Sequence, residues 1–106
     1  MFYFYIMHNH NYYVYIITNK RNGVLYTGVT SDLLGRIWQH KQKIVEGFSK
    51  KHKLDMLVYY EHHLDIYEVI TRGKKIKKWN RKWKLRLIEN LNPYWRDLYK
   101  EAAASG

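Results

Sequence analysis

The chain has no cysteine, a single proline and only nine acidic residues in 106 positions. Without cysteine there are no disulfides, thiolate zinc ligands or cysteine nucleophiles, a composition that fits a reducing cytoplasm. With Pro93 alone and no low-complexity segment, disorder is expected only near the ends. No apolar run approaches the length of a membrane span. The opening MFYFYI has no basic leader and no small-residue cleavage site, so it does not read as a signal peptide. The length excludes a catalytic domain joined to a separate recognition domain, so one fold carries whatever the chain does.

Positive charge is what the chain has in excess. Nineteen Lys and Arg against nine Asp and Glu give a net charge of +10 and a pI near 9.8, which points to an anionic partner. Eight of the cations (Lys74, Lys75, Lys77, Lys78, Arg81, Lys82, Lys84 and Arg86) fall in thirteen positions without an intervening acid. Like charges at this density repel along a helix, and a polyanion explains them better than solubility does. DNA is the first candidate and RNA the alternative. A membrane surface is disfavoured, and no protein partner is inferred.

Residues 12–100 read as one domain, with 1–11 an N-terminal extension, disordered or an added edge strand, and 101–106 (EAAASG) a flexible tail. Met7 offers an alternative start. Tyr12 to Thr18 and Val24 to Val29 read as strands joined across Asn22-Gly23, and Leu54 to Tyr60 as a third. Between them, Thr30-Ser31-Asp32 caps a helix whose apolar stripe runs through Leu33, Leu34, Ile37 and Trp38 to about Ile44. The loop EGFSKKHK is expected to be basic and exposed. From Asp65 two helices follow, broken near Trp79-Asn80, the second with Trp83, Leu87, Ile88 and Leu91 along one face before Asn92-Pro93. The order ββαβαα predicts an α+β fold, a small three-stranded antiparallel sheet flanked by helices. His62-His63 and His8, His10 lack partners at metal-ligand spacing and read as surface histidines; Asn92 reads as a helix-end residue.

Tyr13-Val14-Tyr15, ten residues, then Tyr26-Thr27-Gly28 resembles the paired motif of the GIY-YIG nuclease superfamily. Arg36 and His40 in GRIWQHK, with KKHKLDMLVYYE, IKKW and LNPYWRDLY, are similar to its short single-domain bacterial members, a likeness running from Tyr12 to Lys100. The resemblance implies metal-dependent phosphodiester hydrolysis of DNA, with Mg²⁺ or Mn²⁺ as the cation. Its catalytic residues would be Tyr15 and Tyr26, near the attacking water, with Arg36 on a phosphate oxygen and His40 as proton acceptor. A phenol with a pKa of about 10 needs such an acceptor at neutral pH. Arg36 and His40, four apart, are expected on one helix face, opposite the Leu33, Ile37 and Trp38 stripe.

One element of the resemblance fails. Similar sequences read roughly Arg-Glu-Lys-x-Ile-Lys where this chain has Arg72-Gly73-Lys74-Lys75-Ile76-Lys77, and that glutamate is the family's metal ligand. Position 73 falls on the inward face with Val69, Ile70 and Ile76, and glycine offers no oxygen to a hard cation. Glu68 sits about 140° away around the helix. Glu61, ending the third strand, is the better-placed substitute. Whether the chain cuts therefore turns on Gly73, and the alternative is an inactive nucleic-acid-binding module using the basic helices 74–86.

Overall fold

A computed structural model describes residues 11–105 of the chain. His8, His10 and all of the expected extension except Asn11 lie outside the described residues. The elements run β1 (Tyr12–Thr18), β2 (Leu25–Thr30), α1 (Leu33–Lys41), α2 (Phe48–Lys51), β3 (Met56–His63), α3 (Ile66–Lys78), α4 (Arg81–Leu91) and α5 (Tyr99–Ser105). The fold is α+β, a three-stranded antiparallel sheet in the order β2-β1-β3 with helices packed on it.

Strand β1 lies in the middle, and its seven residues are the β-branched and aromatic run YYVYIIT, five of them buried in succession. A strand covered on both faces has no polar side, which is why its sequence does not alternate. One layer gathers Val14, Ile16, Val58, Tyr59, Val69, Ile76 and Ile88 under α3 and α4. The other gathers Tyr15, Ile17, Leu33, Ile37, Leu54, Leu57 and Ala102 under α1 and α5. Side-chain caps start three helices: Asp32 accepts from the Gly35 N–H, Asp65 from Glu68 and Asn80 from Trp83.

Several expectations are corrected. Within the basic loop, Phe48–Lys51 forms α2 and buries Ser49. The expected flexible tail is helical through Ser105, with Ala102 docked beside Leu33 and Ile37. Helix α1 stops at Lys41, short of Ile44, and Trp38 is 48% exposed, so neither belongs to the inward stripe. On α4, Ile88 is buried with Leu85 and Leu87 packed near it, whereas Trp83 and Leu91 face solvent. Asn92 is also more than a helix end: its amide donates to the Val58 and Arg96 carbonyls at 3.1 and 2.8 Å, and its oxygen accepts from the Arg96 N–H. It pins the chain after α4 to β3.

Candidate active site

The site begins with the hairpin register. Tyr15 on β1 lies directly opposite Gly28 on β2, and Ile17 opposite Tyr26, so both tyrosines project from the same face of the sheet. Gly28 is required by contact. A Cβ there would stand 2.4 Å from the Tyr15 Cζ and hydroxyl oxygen, so the phenol end of the ring occupies a position that only glycine leaves open. The two tyrosine rings are 6.4 Å apart, centre to centre.

Helix α1 delivers His40 to the same place. His40 is three residues past Ile37 and, like Ile37 and Leu33, is buried. It therefore lies on the apolar face, not opposite it as expected from the Arg36 spacing. Its Nε2 is 3.0 Å from the Tyr15 hydroxyl and its Nδ1 is 3.0 Å from Ser49 Oγ. Ring centres of Tyr26 and His40 are 6.0 Å apart, and Phe48 stacks on the outer side of Tyr26. Arg36 is half-buried on the same helix, close enough for its charge to act on both Tyr15 and His40.

The electrostatics assign proton positions. Burial pushes the Tyr15 phenol well above its ordinary value, and the neighbouring Tyr26 adds to this while Arg36 pulls the other way. At neutral pH Tyr15 is a hydroxyl, not a phenolate. Burial and the Arg36 charge both lower the His40 pKa, so its imidazole is neutral and has one free lone pair. With the Nδ1 proton donated to Ser49 Oγ, Nε2 accepts from Tyr15, and both ring nitrogens of His40 are satisfied. Ser49 was not legible as a site residue: nothing in GFSKK distinguishes it from a solvated serine, and only the fold of α2 brings it to His40.

Tyr15, Tyr26, Arg36 and His40 are thus brought together, and the basic run is not part of their cluster. Helices α3 and α4 cover the opposite layer. Lys74, Lys75, Lys77, Lys78, Lys82 and Arg86 are exposed there. Arg81 instead donates to the Asn22 and Gly23 carbonyls, both at 2.7 Å, tying α4 to the β1–β2 turn, and Lys84 reaches the Lys77 carbonyl.

A resident divalent cation does not fit these residues. Gly73 is buried on the inward face of α3, as its position in the periodicity implied, but it abuts Val29 of β2. Val29 pairs with Val14 in the layer opposite Tyr15, so a side chain at 73 starts on the far side of the sheet from the tyrosines. A Cβ built there would be 2.5 Å from Val29 Cγ2. Among the described residues no three His, Asp or Glu side chains gather as a metal set. Glu61 is no substitute. It accepts from Arg72 Nε at 2.8 Å, from Arg72 Nη2 at 3.2 Å, from Tyr59, and from His63 Nε2 at 2.6 Å. Although burial opposes ionisation, these hydrogen bonds hold its carboxyl below the ordinary value, and it serves as the counter-ion of α3. His63, expected to be a surface histidine, is part of that network, whereas His62 is exposed and bonded to Asn11.

Residues 11–86 match the GIY-YIG catalytic domain. A UPF0213 protein of Staphylococcus haemolyticus is 36% identical over 78 residues, covering 74% of this chain and 94% of that protein. One from Staphylococcus aureus is 33% identical over 79 residues, with 74% and 95% covered. The solution structure of a UPF0213 protein from Bacillus halodurans superposes with a TM-score of 0.53 at 25% identity, over 82% of this chain and 92% of that one.

Proposed function

We propose, because the chain belongs to the GIY-YIG catalytic domain family, that it binds DNA and retains the proton-handling half of a phosphodiester hydrolase while lacking the half that holds the metal. The observation that carries this reading is the contrast between two positions. At Tyr15 the site is built: Gly28 admits the ring, His40 takes the hydroxyl hydrogen bond, and Ser49 fixes the imidazole. At Gly73 there is no donor, and Val29 fills the place where one would begin.

Each retained group has a task that phosphodiester hydrolysis needs. The Tyr15 hydroxyl can take a proton from an attacking water only as it passes its own to a neighbouring base, because burial disfavours the free phenolate. Neutral His40 is that base, and Ser49 stabilises the imidazolium by accepting from Nδ1. Arg36 offers a guanidinium fork to a phosphate oxygen. Among the described residues nothing supplies the metal's part, the stabilisation of the leaving oxygen. Cleavage is therefore expected to be weak or absent, and binding to persist.

The test is cleavage of linear, flapped and branched DNA in Mg²⁺ and in Mn²⁺ by the chain itself, by Gly73→Glu, and by Gly73→Glu combined with Val29→Ala. The second change opens the space that the first requires. Cutting by the double variant but not by the chain itself supports the reading. Robust cutting by the chain itself favours the second reading, a working enzyme whose cation is held by substrate phosphate and water. Failure of all three to cut, in folded protein, removes the hydrolase lineage as a guide to function.

A further inference from the structure

We propose that the outer face of α4 is a separate single-stranded nucleic-acid contact, in which an unpaired base stacks on Trp83 while Lys82 and Arg86 hold the backbone. The inference rests on the nucleic-acid half of the reading above and is independent of whether the chain cuts.

Trp83, Arg86, Leu87 and Asn90 recur at the spacings that share one helix face, and with Trp79 they line a shallow groove of about 250 Å³. Core packing does not account for this surface, since Ile88 carries α4's buried contact and leaves Trp83 52% exposed. Trp83 is nevertheless held in place. Its backbone N–H, donating to the Asn80 cap at 2.9 Å, fixes the start of the helix, and its ring meets Trp79 edge-on, with centres 5.9 Å apart and planes at 82°. Trp79 is backed in turn by the Arg72 guanidinium, 5.3 Å from its centre. A fixed, half-exposed indole beside an amide and a guanidinium presents an apolar plate with hydrogen-bonding groups at its rim, the arrangement that takes a nucleobase.

Charge selects the occupant. Glu89 is the sole acid on α4, and it already accepts from Trp95 Nε1 at 2.9 Å. A second copy of the chain would set another helix of the same sign, from a molecule of net charge +10, against this one. A polyanion is attracted by the same charges. A duplex keeps its base faces stacked within the helix and offers none to Trp83, so the partner is a strand with unpaired bases. The groove belongs to the layer across the sheet from Tyr15 and His40, so a strand held there leaves those residues uncovered.

The experiment uses the full chain and a short fluorescein-labelled oligodeoxythymidylate, followed by anisotropy over a series of salt concentrations. Trp83→Ala should weaken binding by roughly tenfold or more with the salt slope unchanged, and Trp83→Phe should keep most of the affinity. Lys82→Gln and Arg86→Gln should each lower the slope by about 0.7. A duplex probe should not distinguish Trp83→Ala from the parent. Equal affinity of parent and Trp83→Ala for the single strand overturns the proposal. So does an equal loss on the duplex, or no salt-sensitive binding at all. As a second measurement that needs no variant, photocrosslinking the parent to an oligonucleotide carrying 5-iodouracil should label Trp83; crosslinks confined to other residues also overturn it. Cleavage is not read in either experiment, so an uncut substrate and a failed stacking contact are told apart.

Discussion

Replacing Gly73 by alanine should destabilise the protein, although glycine inside a helix is ordinarily the poorer residue. The added Cβ would lie 2.5 Å from Val29 Cγ2, against a comfortable carbon–carbon separation of about 3.5–4.0 Å, so one group must retreat by about 1 Å or more. Val29 is badly placed to do so. Its χ1 is stiff, as for any β-branched residue, and its backbone is paired to Val14 of the central strand. Overpacking of this kind costs about 1–3 kcal/mol, while alanine's helix propensity offsets about 1 kcal/mol. The net effect of Gly73→Ala is a loss of about 0–2 kcal/mol. With Val29→Ala already present the clash is gone, and Gly73→Ala should stabilise by about 1 kcal/mol. Urea denaturation of the two single variants, the double variant and the parent gives the coupling directly, expected at about 1–3 kcal/mol; each kcal/mol should move the melting midpoint by about 4 °C in a domain of this size. Additive effects within about 0.5 kcal/mol would refute the close approach as the reason for glycine.

Two further outcomes are expected. Gly28→Ala puts a methyl 2.4 Å from the Tyr15 ring and must expel it from its contact with His40, so it should cost about 2 kcal/mol or more in urea denaturation; a melt unchanged from the parent would mean that the ring can be rehoused. The two histidines should impose opposite pH dependence on stability. Burial and Arg36 keep the folded-state pKa of His40 below the ordinary 6.5, so its contribution is present above that pH and is lost on acidification below it. The hydrogen bond to Glu61, outweighing partial burial and assisted by Glu68, raises that of His63, so its contribution is complete below 6.5 and is lost as pH rises through the folded value. Urea melts from about pH 5 to pH 9 should show His63→Gln flattening the alkaline limb only, and a curve merely parallel to the parent would contradict the assignment.

Features with local causes were readable in the sequence. Strand β1 was bounded at Tyr12 and Thr18 because an unbroken β-branched and aromatic run is its own signal. The helical pattern breaks near Trp79 and Asn80, where the structure has one helix's last cap and the next one's first. Features with tertiary causes were not readable. Helix α2 is four residues with no periodicity, held by Ser49 against His40 and Phe48 against Tyr26. His40 shows the limit most clearly: its spacing from Arg36 suggests an outward face, whereas it shares the buried stripe of Leu33 and Ile37, a place its polarity hides in the sequence. Its burial makes sense only once two hydroxyls are seen beside it. On α4 the error had the opposite sign. Hydrophobicity points two large residues, Trp83 and Leu91, inward, and both face water.

The pairing of Tyr15 with Gly28 also constrains how the hairpin can close. A slip of one residue between β1 and β2 would turn the Tyr15 face of one strand against the wrong face of the other. A slip of two keeps the faces but sets Tyr26 or Thr30 opposite Tyr15, each with a Cβ in the volume the ring occupies. Of these alignments only the native one accepts the ring, so the motif glycine fixes the register of the hairpin by steric exclusion, independently of the helices packed on it.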